Sequence, residues 1–119
     1  MRQMPAILTF ALLALATRAD AHAFLLKSSP AVGSAVQTGV KELRLEFSEA
    51  VELTFSGVEL TTASGAAVRL PAPGFGDTAH RLLVTALPML MSGSYRVKWH
   101  VVSADTHRTE GAFTFTVKP

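Results

Sequence analysis

The apolar positions of residues 42–47 fall two apart: Leu43, Leu45 and Phe47 alternate with Arg44 and Glu46. The same period recurs in residues 94–102, where Tyr95, Val97, Trp99 and Val101 alternate with Arg96, Lys98 and His100. In residues 112–117, Phe113, Phe115 and Val117 alternate with Thr114 and Thr116. Side chains of an extended strand point alternately to its two faces, so each run offers one face to a core and one to water. Residues 57–62, 66–70 and 80–87 carry the pattern more weakly. Turn-forming residues separate the runs: Ser29-Pro30 with Gly33-Ser34, Ser56-Gly57, Ser64-Gly65, the stretch 71–76 and Ser92-Gly93. No apolar stripe with a 3.6-residue period extends for the length of a helix. The pattern predicts an all-β fold, with short antiparallel strands in a sandwich or barrel. Residues 71–78 read as a mobile surface loop, and no repeat, linker or second domain interrupts the domain.

The N-terminal stretch follows a different logic. Arg2 precedes an apolar run over 6–16, and Ala19-Asp20-Ala21 forms a small-x-small site before His22. This predicts a secretory signal peptide over 1–21, removed to leave a domain over 22–119. The apolar run of 11 residues is too short for a spanning helix, which needs about 20. Removal takes Arg2, Arg18 and Asp20 with it and leaves nine basic and eight acidic residues. Near neutrality, and without a basic run, the domain has no electrostatic case for nucleic acid or an anionic membrane. The absence of cysteine excludes disulfides, thiolate metal sites and a cysteine nucleophile. There is no Gly-rich phosphate loop, no HExxH and no serine with a convincing base and acid around it.

The remaining chemistry lies in histidines. Cleavage before His22 would place two nitrogen donors in one residue, a free α-amine and an imidazole, able to close a chelate ring on one metal ion. Paired nitrogens suit Cu(II), which favours a tetragonal N/O set. Asp105-Thr106-His107 supplies a carboxylate and a second imidazole two residues apart. In an extended segment that spacing points both to one side. The ordinary alternative is a polar turn, with Asp105 capping backbone amides and His107 in water. His100 lies beside Lys98 on a polar strand face, where positive charge disfavours a cation, and His80 reads as a solvated histidine. Trp99 is expected in the core, and Met89 and Met91 as core filler.

Three blocks, residues 22–36, 43–60 and 92–117, are similar to the CopC family of periplasmic copper-resistance proteins, in register over nearly all of 22–119. The resemblance implies an immunoglobulin-like Greek-key β-sandwich or barrel of about seven strands, binding one Cu(II) ion per chain. It implies His22, through amine and imidazole, with Asp105 and His107 as ligands, and Glu49 as a weak ligand or close neighbour of the ion. It further implies a non-enzymatic role in copper homeostasis, resistance or transfer in the periplasm. The implied partners are an inner-membrane copper transporter of the CopD type or a periplasmic multicopper oxidase. Some members carry a methionine-rich stretch that binds Cu(I); here residues 58–70 contain no methionine, so no thioether site is expected. Two other readings stand beside this one. A histidine brace, as in copper-dependent polysaccharide oxygenases, also uses an N-terminal histidine, but a 98-residue domain leaves little room for their substrate surface. A metal-free immunoglobulin-like interaction module is the third.

Overall fold

The computed structural model describes residues 22–119, together with Gln3; the rest of the expected signal peptide lies outside the described residues. The strands are β1 (Leu25–Ser29), β2 (Ala35–Val36), β3 (Glu42–Phe47), β4 (Gly57–Thr62), β5 (Ala67–Val68), β6 (Gly74–Phe75), β7 (Leu82–Ala86), β8 (Gly93–Val102) and β9 (Arg108–Val117). They form two sheets, one in the order β1-β3-β7-β6 and the other β2-β9-β8-β4-β5. Every pairing is antiparallel except that of β2, which runs parallel to β9. The chain crosses between sheets from β1 to β2, β2 to β3, β3 to β4, β5 to β6 and β7 to β8, giving a two-sheet sandwich of immunoglobulin type. The expected fold class is therefore the observed one. The strand count exceeds seven because β2, β5 and β6 are two-residue edge strands, short enough to offer little template for pairing with another chain.

The alternation that predicts the strands is what builds the core. Leu43, Leu45 and Phe47 of β3 are buried against Val97, Trp99 and Val101 of β8 and Phe113, Phe115 and Val117 of β9, with Leu60 and Leu83 filling between. Phe47 meets Trp99 edge-on, with ring centroids 5.2 Å apart. Opposite Trp99 on β9 stands Gly111. A Cβ there would lie 2.5 Å from Trp99 Cζ2, so only the missing side chain lets the indole lie across that strand.

One strand goes unread in the sequence and two local expectations change. β1 carries no clean alternation because a bulge between Leu25 and Lys27 shifts its register on β3. The stretch 71–78 is not wholly loop: Gly74 and Phe75 pair with β7 as an edge strand. Met89 and Met91 do not fill the core, since each is 82% exposed while Leu90 between them is buried. An extended segment puts neighbours on opposite sides, and it is leucine, not either methionine, that faces inward.

Candidate metal centre

One end of the sandwich gathers the entry to β1, the exit of β3 and the β8–β9 hairpin. Ala23 is 1% exposed, and its carbonyl accepts a hydrogen bond from Thr109 Oγ1 at 2.8 Å, across 86 residues of chain. The Phe24 amide donates to Ser48 Oγ at 2.8 Å, and the Ser48 amide returns a bond to the Phe24 carbonyl at 2.8 Å. Ser48 Oγ also reaches the His22 carbonyl at 3.4 Å. These contacts tie the segment 22–24 to both sheets and fix where His22 projects.

The β8–β9 connection is a tight hairpin rather than the extended segment its spacing suggests. The Ser103 amide donates to the His107 carbonyl at 2.9 Å, and the Thr106 amide donates to the Ser103 carbonyl at 2.8 Å. This is a type I-like turn closed by a residue in the left-handed region, a common three-residue hairpin loop. That residue is Thr106, with φ of 73°, where a β-branched side chain is strained. Asp105 and His107 meet nonetheless, because the turn brings them together: His107 Nδ1 lies 3.0 Å from Asp105 Oδ2. Ser103 Oγ donates to the other carboxylate oxygen, Oδ1. These bonds, Ser103 first and His107 second, hold the Asp105 carboxyl below its ordinary value, because both favour the charged form.

His22 completes the arrangement. Its ring meets that of His107 edge-on, with centroids 4.7 Å apart, although 85 positions separate the two residues. Glu49 is exposed and lines a cleft of about 140 Å³ with Ala50, Ser103, Ala104 and Asp105. All four residues anticipated from the sequence thus lie at this end of the fold. Among the described residues, no three His, Asp or Glu side chains are gathered closely enough to hold a metal ion as they stand. The donor chemistry nevertheless suits copper: two imidazoles and a carboxylate are nitrogen and oxygen donors of the kind Cu(II) takes. His107 Nδ1 is engaged by Asp105, which leaves Nε2 as the nitrogen available to an ion.

The other histidines stand apart. The His100 ring packs over Gly57, where a Cβ would lie 2.6 Å from Cε1. His80 is exposed, as expected of a solvated residue, but its ring stacks on Phe75 with centroids 4.2 Å apart and planes 6° from parallel. Three hydroxyl residues went unread in the sequence: Ser48, Ser103 and Thr109. Ser48 and Thr109 bond backbone groups that only the fold brings near, and Ser103 bonds a carboxylate that the turn folds back onto it.

An immunoglobulin-like sandwich that gathers imidazoles from both ends of its chain at one edge is the class of protein this architecture defines. Residues 25–118 match the CopC domain, and the chain belongs to the CopC family. It is 40% identical over 123 residues to copper resistance protein C of Escherichia coli, covering 95% of each chain. It is 39% identical over 99 residues to protein YobA of Escherichia coli K12, covering 82% of this chain and 80% of that one. The crystal structure of CopC from Methylosinus trichosporium OB3b superposes with a TM-score of 0.77 at 34% identity, covering 82% of this chain and 95% of that one. The protein's role is accordingly a copper-related one.

Proposed function

We propose that this chain is a non-enzymatic, periplasmic Cu(II)-binding protein that acts in copper homeostasis, resistance or transfer. His22 supplies its α-amine and imidazole once the signal peptide is removed, and Asp105 and His107 supply a carboxylate oxygen and a second imidazole nitrogen. One ion is bound per chain, and Glu49 stands by as a weak ligand or an outer carboxylate. The observation that carries the reading is the approach of the His22 and His107 rings to 4.7 Å, with Asp105 bonded to His107. The amine is the donor that no count of side chains includes, which accounts for the incomplete side-chain set. Copper is cargo in this reading, passed to a membrane copper transporter of the CopD type or to a multicopper oxidase. A relative, copper transport protein CutJ of Bacillus subtilis, aligns with 82% of this chain over only 18% of its own length. Such a domain thus occurs within a longer copper-transport chain, which supports the transporter as partner.

The test is the processed protein itself. Intact mass of the periplasmic form is expected to correspond to residues 22–119, and titration to give one Cu(II) per chain. A mature N-terminus elsewhere than His22, or no copper uptake by the correctly processed chain, overturns the assignment.

A further inference from the structure

Ser103 is 1% exposed and stands where β8 ends, isolated-bridged to Val51. Most of its fully buried companions are apolar. A buried hydroxyl is costly unless it is hydrogen-bonded. The acceptors within its reach are Asp105 Oδ1 and the His107 carbonyl, the latter at 3.2 Å. A hydroxyl has one proton to give, and an ionised carboxylate is the stronger acceptor. Asp105 Oδ2 in turn takes His107 Nδ1. Ser103, Asp105 and His107 therefore form a chain of contacts, two residues apart at each step, folded into one tight turn.

We propose that Ser103 is a positioning residue of the copper site, its buried hydroxyl locking the Asp105 carboxylate and, through it, the His107 ring in the orientation the ion needs. The proposal rests on the copper-binding reading above. Asp105 sits in an exposed loop, where an unheld carboxylate swings toward water. The hydroxyl comes from the rigid end of a ten-residue strand, so the core sets the orientation of a surface ligand. Groups that orient a metal's ligands in this way are typically worth about 10- to 100-fold in metal affinity.

The experiment uses the full chain, secreted and processed, with His22 confirmed as the first residue by intact mass. Cu(II) affinity is measured by competition with a chelator, and the bound ion is examined by electron paramagnetic resonance. Ser103→Ala is expected to weaken Cu(II) binding about 10- to 100-fold and to change the copper hyperfine splitting. Ser103→Thr keeps the hydroxyl, so where it folds it is expected to bind as wild type does. In an Asp105→Ala background, Ser103→Ala is expected to cost nothing further, because residues acting through one another are not additive. A Ser103→Ala protein that melts earlier but keeps its copper affinity and spectrum would make Ser103 merely structural and sink the proposal. Additive losses in the double variant would also overturn it. In the unsubstituted protein, the Ser103 hydroxyl proton is expected to exchange slowly enough to be seen by NMR; a fast-exchanging hydroxyl counts against the lock even if Ser103→Ala fails to fold. Should wild type bind Cu(II) while Ser103→Ala matches it, only this proposal falls. Should wild type bind none, the copper reading falls first.

Discussion

Replacing Thr109 with valine would keep the shape of the side chain and remove one hydrogen bond, the one from Oγ1 to the Ala23 carbonyl at 2.8 Å. Ala23 is buried, so its carbonyl would be left without that partner away from water. A buried acceptor stripped in this way costs about 1–3 kcal/mol. At about 2 kcal/mol, the docking equilibrium of segment 22–24 shifts roughly 30-fold toward the open form. Only the docked segment presents His22 to His107, and apparent affinity scales with the population of the competent state. If docking in the wild type is favoured by more than the lost amount, most of the change is absorbed before copper affinity falls. The loss of affinity is therefore at most about 30-fold. Amide exchange at Phe24, whose N–H is held by Ser48 Oγ, reports the opening directly and should rise by the full factor. The assay pairs hydrogen exchange read at Phe24 and Ser48 with Cu(II) competition titration, on wild type and Thr109→Val. Unchanged exchange at both amides would refute the clamp. Faster exchange with an affinity loss well beyond 30-fold would show that Thr109 acts on the ion by another route.

A chain carrying one extra glycine before His22 should bind Cu(II) more weakly, because the amine becomes a non-basic amide. Its affinity should also rise less steeply between about pH 5 and 8, since α-amines titrate near 7.7–8.0; equal binding by both forms in competition titrations defeats the N-terminal assignment. Asp105→Asn should be less stable than wild type at neutral pH and should lose that deficit in acid, read from urea midpoints across pH. The reason is that a carboxyl held below its ordinary value of 3.8 stabilises the fold above that value and ceases to as pH falls through its depressed one; a gap that persists in strong acid contradicts this. Gly111→Ala should destabilise the domain by about 1–3 kcal/mol, because the new Cβ would meet Trp99 at 2.5 Å; thermal unfolding decides it. Thr106→Gly should stabilise it by up to about 1 kcal/mol, as the left-handed φ of 73° suits glycine; a lower melting temperature would show that the Thr106 hydroxyl, 2.5 Å from the Asp105 carbonyl, outweighs the strain.

The sheets were legible wherever one face of a strand is buried and the other wet. β3, β4 and most of β8 lie where residues 42–47, 57–62 and 94–102 alternate. β1 was not, because its bulge breaks the period, and β6 was not, because glycines and prolines surround two paired residues. Met89 and Met91 misled because hydrophobic character alone does not say which side of an extended segment faces in; Leu90 takes that place. That the Asp105 and His107 side chains meet was legible in their spacing, but for an incomplete reason, since a turn and not a strand joins them. The hydroxyls of Ser48, Ser103 and Thr109 carry no sequence signal of their own. Ser48 and Thr109 act on partners 24 and 86 positions away, distances across which no local pattern exists.

That last separation sets an order of events. In chain order the segment holding His22 comes before every strand, and the β8–β9 hairpin, with Asp105 and His107, joins the last two. Until β9 docks, Thr109 cannot reach Ala23, and the two imidazoles remain on unconnected pieces of chain. Pairings so distant in sequence are late to form, because the entropy of closing the intervening loop must be met before they return anything. An unfinished or misfolded chain therefore keeps the two imidazoles apart, and their rings meet only in a molecule whose last strand is home. With the ligands proposed above, metal uptake would read out completed folding.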